Sequence, residues 1–266
     1  MSAASPSAAS TAERVSVFIK YGQWDLAREL IPTAVTKSAP LYLLEAQAFH
    51  ARAFFGNDQD RDGDMQRACE GAQAVINMAS TASADQALLA QALLVRANTL
   101  ANLASRVKEF KGSLGEATSA VQQAESVLKE LAEPDVANAY RIRGVINQAW
   151  HHLRPDDKWL RQVQKNFLAA IREYERHGKE ESSKWCAVSH WNMYIILQSL
   201  NREKAAVSFL KRAVDLREKA QGYEHPYTRS YRRQLRSLEV CMGDAEMKQI
   251  VQNELHKYDR YFGPGF

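Results

Sequence analysis

The stretch from Ala187 to Thr228 constrains this chain more than any other. Apolar residues recur at helical spacing through Val188-Ser189-His190-Trp191-Asn192-Met193-Tyr194-Ile195-Ile196-Leu197 and break at Asn201-Arg202-Glu203. They resume near Lys204, with Ala206, Leu210, Ala213 and Leu216 on one face, and stop at Gln221-Gly222. Small residues at 206 and 213 let two helix backbones approach closely, and the leucines fill the space around them. Gly222 suits the left-handed position just past a helix end, and Pro226 suits the first turn of the next helix, where its missing N–H costs nothing. A hairpin of this kind cannot bury its apolar face alone. It needs neighbours like itself, which implies an array.

The rest of the chain supplies such neighbours. A first pair is expected at Ala12–Tyr21 and Trp24–Thr36, joined by the turn Tyr21-Gly22-Gln23-Trp24. Leu41–Phe55, Met65–Met78, Ala84–Ser105, Leu114–Leu131, Asp135–His152 and Lys158–His177 follow as further helices, and the last ends near Arg260. With only 12 Gly and 7 Pro in 266 residues, and no runs of alternating β-branched residues, helix is expected throughout. The fold class is therefore all-α: an α-solenoid of about six antiparallel helix hairpins of irregular length. Residues 1–11, rich in Ser and Ala, are expected to form a disordered tail, residues 12–260 the helical repeat domain, and residues 261–266 a C-terminal tail. No apolar run approaches the ~20 residues of a membrane span, and the N-terminus lacks the basic and apolar blocks of a secretory signal.

The hairpin resembles a tetratricopeptide repeat, and more narrowly the long repeat of kinesin light chains. The matching residues are Asn192, Ala206, Lys211-Arg212-Ala213-Val214, Arg217-Glu218-Lys219, Gly222 and His225-Pro226. Asn201 stands where that family has its turn glycine, and asparagine tolerates the same dihedral angles. The unit from Arg229 onward keeps Leu235 and Gly243 but departs at Arg236 and Lys248, where the family has small residues. The resemblance spans residues 187–243, about one repeat and a half. It implies a tetratricopeptide-like superhelix whose first helices line a concave groove, with asparagines such as Asn192 holding an extended peptide by its backbone. The long heptad coiled coil of kinesin light chains has no counterpart here.

Chemistry-bearing motifs are sparse. The turn Asn57–Asp64 puts Gly63 at position six of a calcium loop begun at Asp58, but position twelve is Cys69 and Glu70 comes one residue late, so a solvated turn is expected. His151-His152 beside Asp156-Asp157 lacks the helical spacing of zinc ligands, and His190 and His225 fall at repeat positions that call for no chemistry. Cys69, Cys186 and Cys241 are too far apart in sequence for any C-x-x-C pairing and read as reduced, buried small hydrophobes. No nucleophile elbow, P-loop, H-E-x-x-H or dinucleotide glycine pattern occurs. No enzyme activity, cofactor or metal is expected, and no small-molecule substrate or membrane partner.

Between Arg202 and Arg236 ten Lys/Arg face four acids, an excess larger than the +4 of the whole chain. Arg229, Arg232, Arg233 and Arg236 are spaced to share one side of a helix. This segment reads either as a docking surface for an acidic protein or polyanion, or as a solvated face neutralised by its neighbours. For the groove, the candidate partner-binding residues are Asn98 and Asn102, Arg141 and Gln148, Trp191, Asn192 and Gln198, and Arg229, Arg233 and Arg236. Asn offers both donor and acceptor to a peptide backbone, and Arg attracts acidic side chains. Trp191 also suits core packing. The expected function is a protein-interaction adaptor or a structural subunit of a multi-protein assembly, in the cytoplasm or associated with cytoskeleton or nucleus. The alternative is an RNA- or polyanion-binding factor using the 202–236 face, which no aromatic sheet motif or GXXG loop supports.

Overall fold

A computed structural model describes residues 8–31, 38–55, 60–81, 85–107, 110–131, 136–177 and 180–242. Among the described residues the chain is all-helical, with eleven α-helices and no strand. They are α1 (Ala8–Lys20), α2 (Trp24–Leu30), α3 (Ala39–Phe55), α4 (Arg61–Thr81), α5 (Gln86–Arg106), α6 (Ser113–Lys129), α7 (Val136–Leu153), α8 (Asp157–His177), α9 (Glu180–Ser199), α10 (Glu203–Gln221) and α11 (Pro226–Met242). Helix α1 begins at Ala8, so part of the expected tail is helical, and Thr11 is buried outright. The expectations for residues 1–7, for Gly243 and Lys248, and for the helix end and tail beyond Met242 lie outside the described residues.

The local signals explain the boundaries. Asp85 caps α5 by accepting from Ala87 N–H at 3.0 Å and Leu88 N–H at 3.3 Å, which sets the start two residues after the expected one. Asp156 does the same for α8, accepting from Lys158 N–H at 2.7 Å. Asn201 has φ +54°, and Gly22 and Gly222 have φ +72° and +79°. These three interhelical turns are therefore made by residues that tolerate positive φ.

The chain divides into two compact units, Met1–Val163 and Gln164–Phe266, with the boundary inside α8. In the first, α3 packs on α4 and α5 on α6, and α7 lies against both α5 and α6. Gly71 of α4 permits a close approach to α3: a Cβ there would stand 3.2 Å from the Ala46 Cβ and 3.3 Å from the Tyr42 carbonyl oxygen. One core joins α5, α6 and α7 through Leu93, Leu94, Leu114, Val121, Ile142 and Ile146. Helix α5 is apolar and long enough to cross a membrane, but most of that stretch is buried in this core. In the second unit α9 packs on α10, and α10 on α11. Ala206, Leu210 and Ala213 are each at most 1 % exposed and form the buried seam of α10, whereas Leu216, the fourth residue of the stripe read from the sequence, is half-buried and Arg217 continues the seam. Each leucine so buried contributes about 1.5–3 kcal/mol.

Candidate functional site

Within the first unit, α3, α5 and α7 bring polar side chains together. The Thr99 hydroxyl donates to the Val95 carbonyl at 2.8 Å, which leaves it an acceptor for His50 Nδ1–H at 3.0 Å. His50 Nε2 is then unprotonated and accepts from the Asn98 amide at 2.9 Å. Asn102 donates to the Asn98 carbonyl at 2.7 Å. The arrangement requires a neutral imidazole, and burial, aided by the positive charge of Arg141, holds His50 down to about 4. Arg141 itself reaches the Asn138 side-chain oxygen through Nε at 3.0 Å and Nη2 at 2.8 Å.

This geometry alters the reading of two expected contacts. Asn98 is 9 % and Arg141 4 % exposed, so neither faces solvent: Asn98 ties α5 to α3 through His50, and Arg141 is bound to Asn138 of its own helix. Asn102 and Gln148 are half-buried. His50 and Thr99 were missed by sequence reasoning, because His50 finds its partners 48 and 49 residues away and no local pattern announces that.

In the second unit α9 and α11 lie side by side. Trp191 stacks on Tyr231 with centroids 4.2 Å apart and planes 5° from parallel, and Trp191 also meets Tyr194 at 5.3 Å. Arg217, 3 % exposed, lies over Tyr227 at 4.5 Å and Tyr231 at 5.5 Å. Gln198 of α9 and Gln234 of α11 both flank the Tyr194 hydroxyl. Asn192 and Gln198 are half-buried, whereas Arg229, Arg233 and Arg236 are exposed. Arg236 donates to the Tyr223 hydroxyl at 3.2 Å. Arg229 and Arg233 have no ion-pair partner among the described residues.

Of the ten basic residues between 202 and 236, three are engaged internally. Arg232 pairs with Glu218 and lies 4.0 Å above the Tyr223 ring. Arg212 reaches Glu175 at 3.7 Å, and Arg217 is enclosed by its aromatic neighbours. Arg202, Lys204, Lys211, Lys219, Arg229, Arg233 and Arg236 remain exposed. The basic face is therefore real but smaller than the bare count suggests.

Four further groups of side chains are present among the described residues. Asp60 and Asp64 of the acidic turn pair with Arg52, and Asp62 lies 3.8 Å from Arg106, so arginines neutralise these carboxylates. Asp58 lies outside the described residues. A shallow cleft of about 670 Å³ is lined by Thr118, Ser119, Gln122, Trp150, Asp156 and Trp159, the two tryptophans stacked at 5.8 Å. His151 and His152 end α7, and Asp156 is occupied as the cap of α8. Last, Glu175 of α8 meets Cys186 and His190 of α9.

Compared with known proteins, the chain matches no family model, no curated protein and no solved structure.

Proposed function

We propose that this chain is a tetratricopeptide-type α-solenoid that acts as an interaction adaptor or assembly subunit and holds an extended, acidic segment of a partner protein. The observation that carries this reading is the α9–α11 face of the second unit. Arg229, Arg233 and Arg236 recur every three to four residues along the exposed side of α11, next to α9 with its half-buried Asn192 and Gln198. A rigid frame supports them, since Trp191 is stacked on Tyr231. Such a row attracts carboxylates, while amide side chains can pair with a peptide backbone whatever its sequence. The pairing of consecutive helices within each unit agrees with a hairpin array. We propose further that it is a binding component of the cytoplasm with no catalytic role.

The test is direct binding, measured by fluorescence anisotropy, of a labelled Asp/Glu-rich peptide and of a single-stranded RNA oligomer of equal charge. Joint charge reversal of Arg229, Arg233 and Arg236 to Glu should weaken peptide binding by at least ~10-fold, about 1.4 kcal/mol, with far-UV circular dichroism unchanged. RNA bound more tightly than peptide, with a steep loss in salt, would move the polyanion reading ahead. Peptide affinity indifferent to the triple reversal refutes the proposal.

A further inference from the structure

We propose that Glu175, Cys186 and His190 form a binding site for a divalent transition-metal ion, with zinc the best fit. Cys186 and His190 are four residues apart on α9 and so share one helix face. Glu175 reaches them from α8, and one ligand atom from each of the three lies within 4.8 Å of the other two. Carboxylate, thiolate and imidazole is a donor set that zinc accepts, whereas calcium and magnesium prefer oxygen alone.

A second observation points to a ligand. His190 is 5 % exposed, yet neither ring nitrogen makes a hydrogen bond, and one Glu175 oxygen is likewise buried without a partner. The nearest approach, His190 Nε2 to Glu175 Oε1, is 3.9 Å, too long for a hydrogen bond. Leaving such groups unsatisfied is costly, and most buried polar groups avoid it. A metal ion among the three would satisfy Nε2 and the carboxylate together after a contraction of about an ångström, since zinc–ligand bonds run ~2.0–2.3 Å. Binding would displace the Cys186 thiol proton to solvent, with no change of oxidation state.

Two competing readings are weaker. A Cys–His nucleophile needs access to a substrate, but Cys186 is 2 % exposed. A plain Glu175–Arg212 ion pair accounts for one carboxylate oxygen at 3.7 Å but leaves the imidazole unsatisfied. The Arg212 side chain is 42 % exposed, so it can swing into solvent when a cation takes its place. Three protein ligands leave a fourth position for water or for a side chain of a bound partner.

The experiment loads chelator-treated full-length protein with Co(II), as a spectroscopic substitute, and with Zn(II), followed by dialysis and elemental analysis. The expected result is one equivalent bound, with a thiolate-to-cobalt charge-transfer band that Zn(II) bleaches. Cys186→Ala should abolish the band, and the isosteric Glu175→Gln should weaken binding by at least the ~10–100-fold that even supporting groups command. A variant carrying Cys69→Ser and Cys241→Ser should keep both band and stoichiometry. Failure to retain metal, or a band untouched by Cys186→Ala and Glu175→Gln, overturns the proposal. If Cys186→Ala does not fold, Glu175→Gln decides alone, since the half-buried carboxylate tolerates an amide.

Discussion

The stack of Trp191 on Tyr231 should be an energetic post that fixes α11 against α9, and a double-mutant cycle measures it. Trp191 has two aromatic neighbours, Tyr231 at 4.2 Å and Tyr194 at 5.3 Å. At about 0.5–1.5 kcal/mol per pair beyond area burial, Trp191→Leu should cost about 1–3 kcal/mol from ring contacts. Tyr231→Leu loses the same stack and the cationic contact with Arg217 at 5.5 Å, a further ~0.5–2 kcal/mol. The stack is counted in both single variants. The double variant should therefore fall short of the sum of the two by about 0.5–1.5 kcal/mol. The assay is urea unfolding followed by far-UV circular dichroism, fitted to the transition that carries the second unit. Additivity within ~0.3–0.5 kcal/mol would mean that the rings are neighbours without mutual attraction. Should Trp191→Leu leave stability unchanged while abolishing peptide binding, Trp191 is a contact residue and the post reading fails.

Three other outcomes follow from the geometry. Gly222→Ala has open space around the new Cβ, so its cost, about 1–3 kcal/mol in thermal unfolding, should come from φ +79° alone, and a neutral result would refute that conformation. His50 is held at about 4 against an ordinary 6.5, so the unfolded chain binds more protons between those values. Its contribution to stability is complete above about pH 6.5 and is lost as the pH falls toward 4; an imidazole NMR titration with a midpoint near 6.5 would contradict the buried network. Arg52→Ala leaves Asp64, whose side chain is 3 % exposed, with Arg67 at 3.5 Å as its remaining cation and should cost about 1–3 kcal/mol by chemical denaturation, whereas no measurable loss would show that Arg67 or water replaces Arg52.

The sequence was most informative where the physics is local. Ala206, Leu210 and Ala213 of the α10 stripe are buried as their spacing demands, because a helix fixes which residues share a face whatever lies opposite, and Leu216, off the seven-residue step, is half-buried. Asn201 and Gly222 adopt the positive φ that their positions after apolar runs called for. Pairing across helices was not legible. Asn98 and Arg141 read as groove contacts, yet Asn98 is bound to His50 and Arg141 is nearly enclosed. Arg217 looked like one of ten surface cations and lies instead beneath two tyrosines.

What the sequence by itself determined, then, is the set of helices, their apolar seams and the turns between them. These follow from a 3.6-residue period and from the few residues that accept unusual backbone angles. Only the tertiary structure decided that His190 lacks a hydrogen bond while Glu175 and Cys186 stand beside it, and that three of the basic side chains are used internally. The reason is that periodicity fixes a residue's azimuth on its own helix. It does not fix the axial offset and rotation of the neighbouring helix, which the packing of whole side chains sets, and on these the partner of every buried polar group depends.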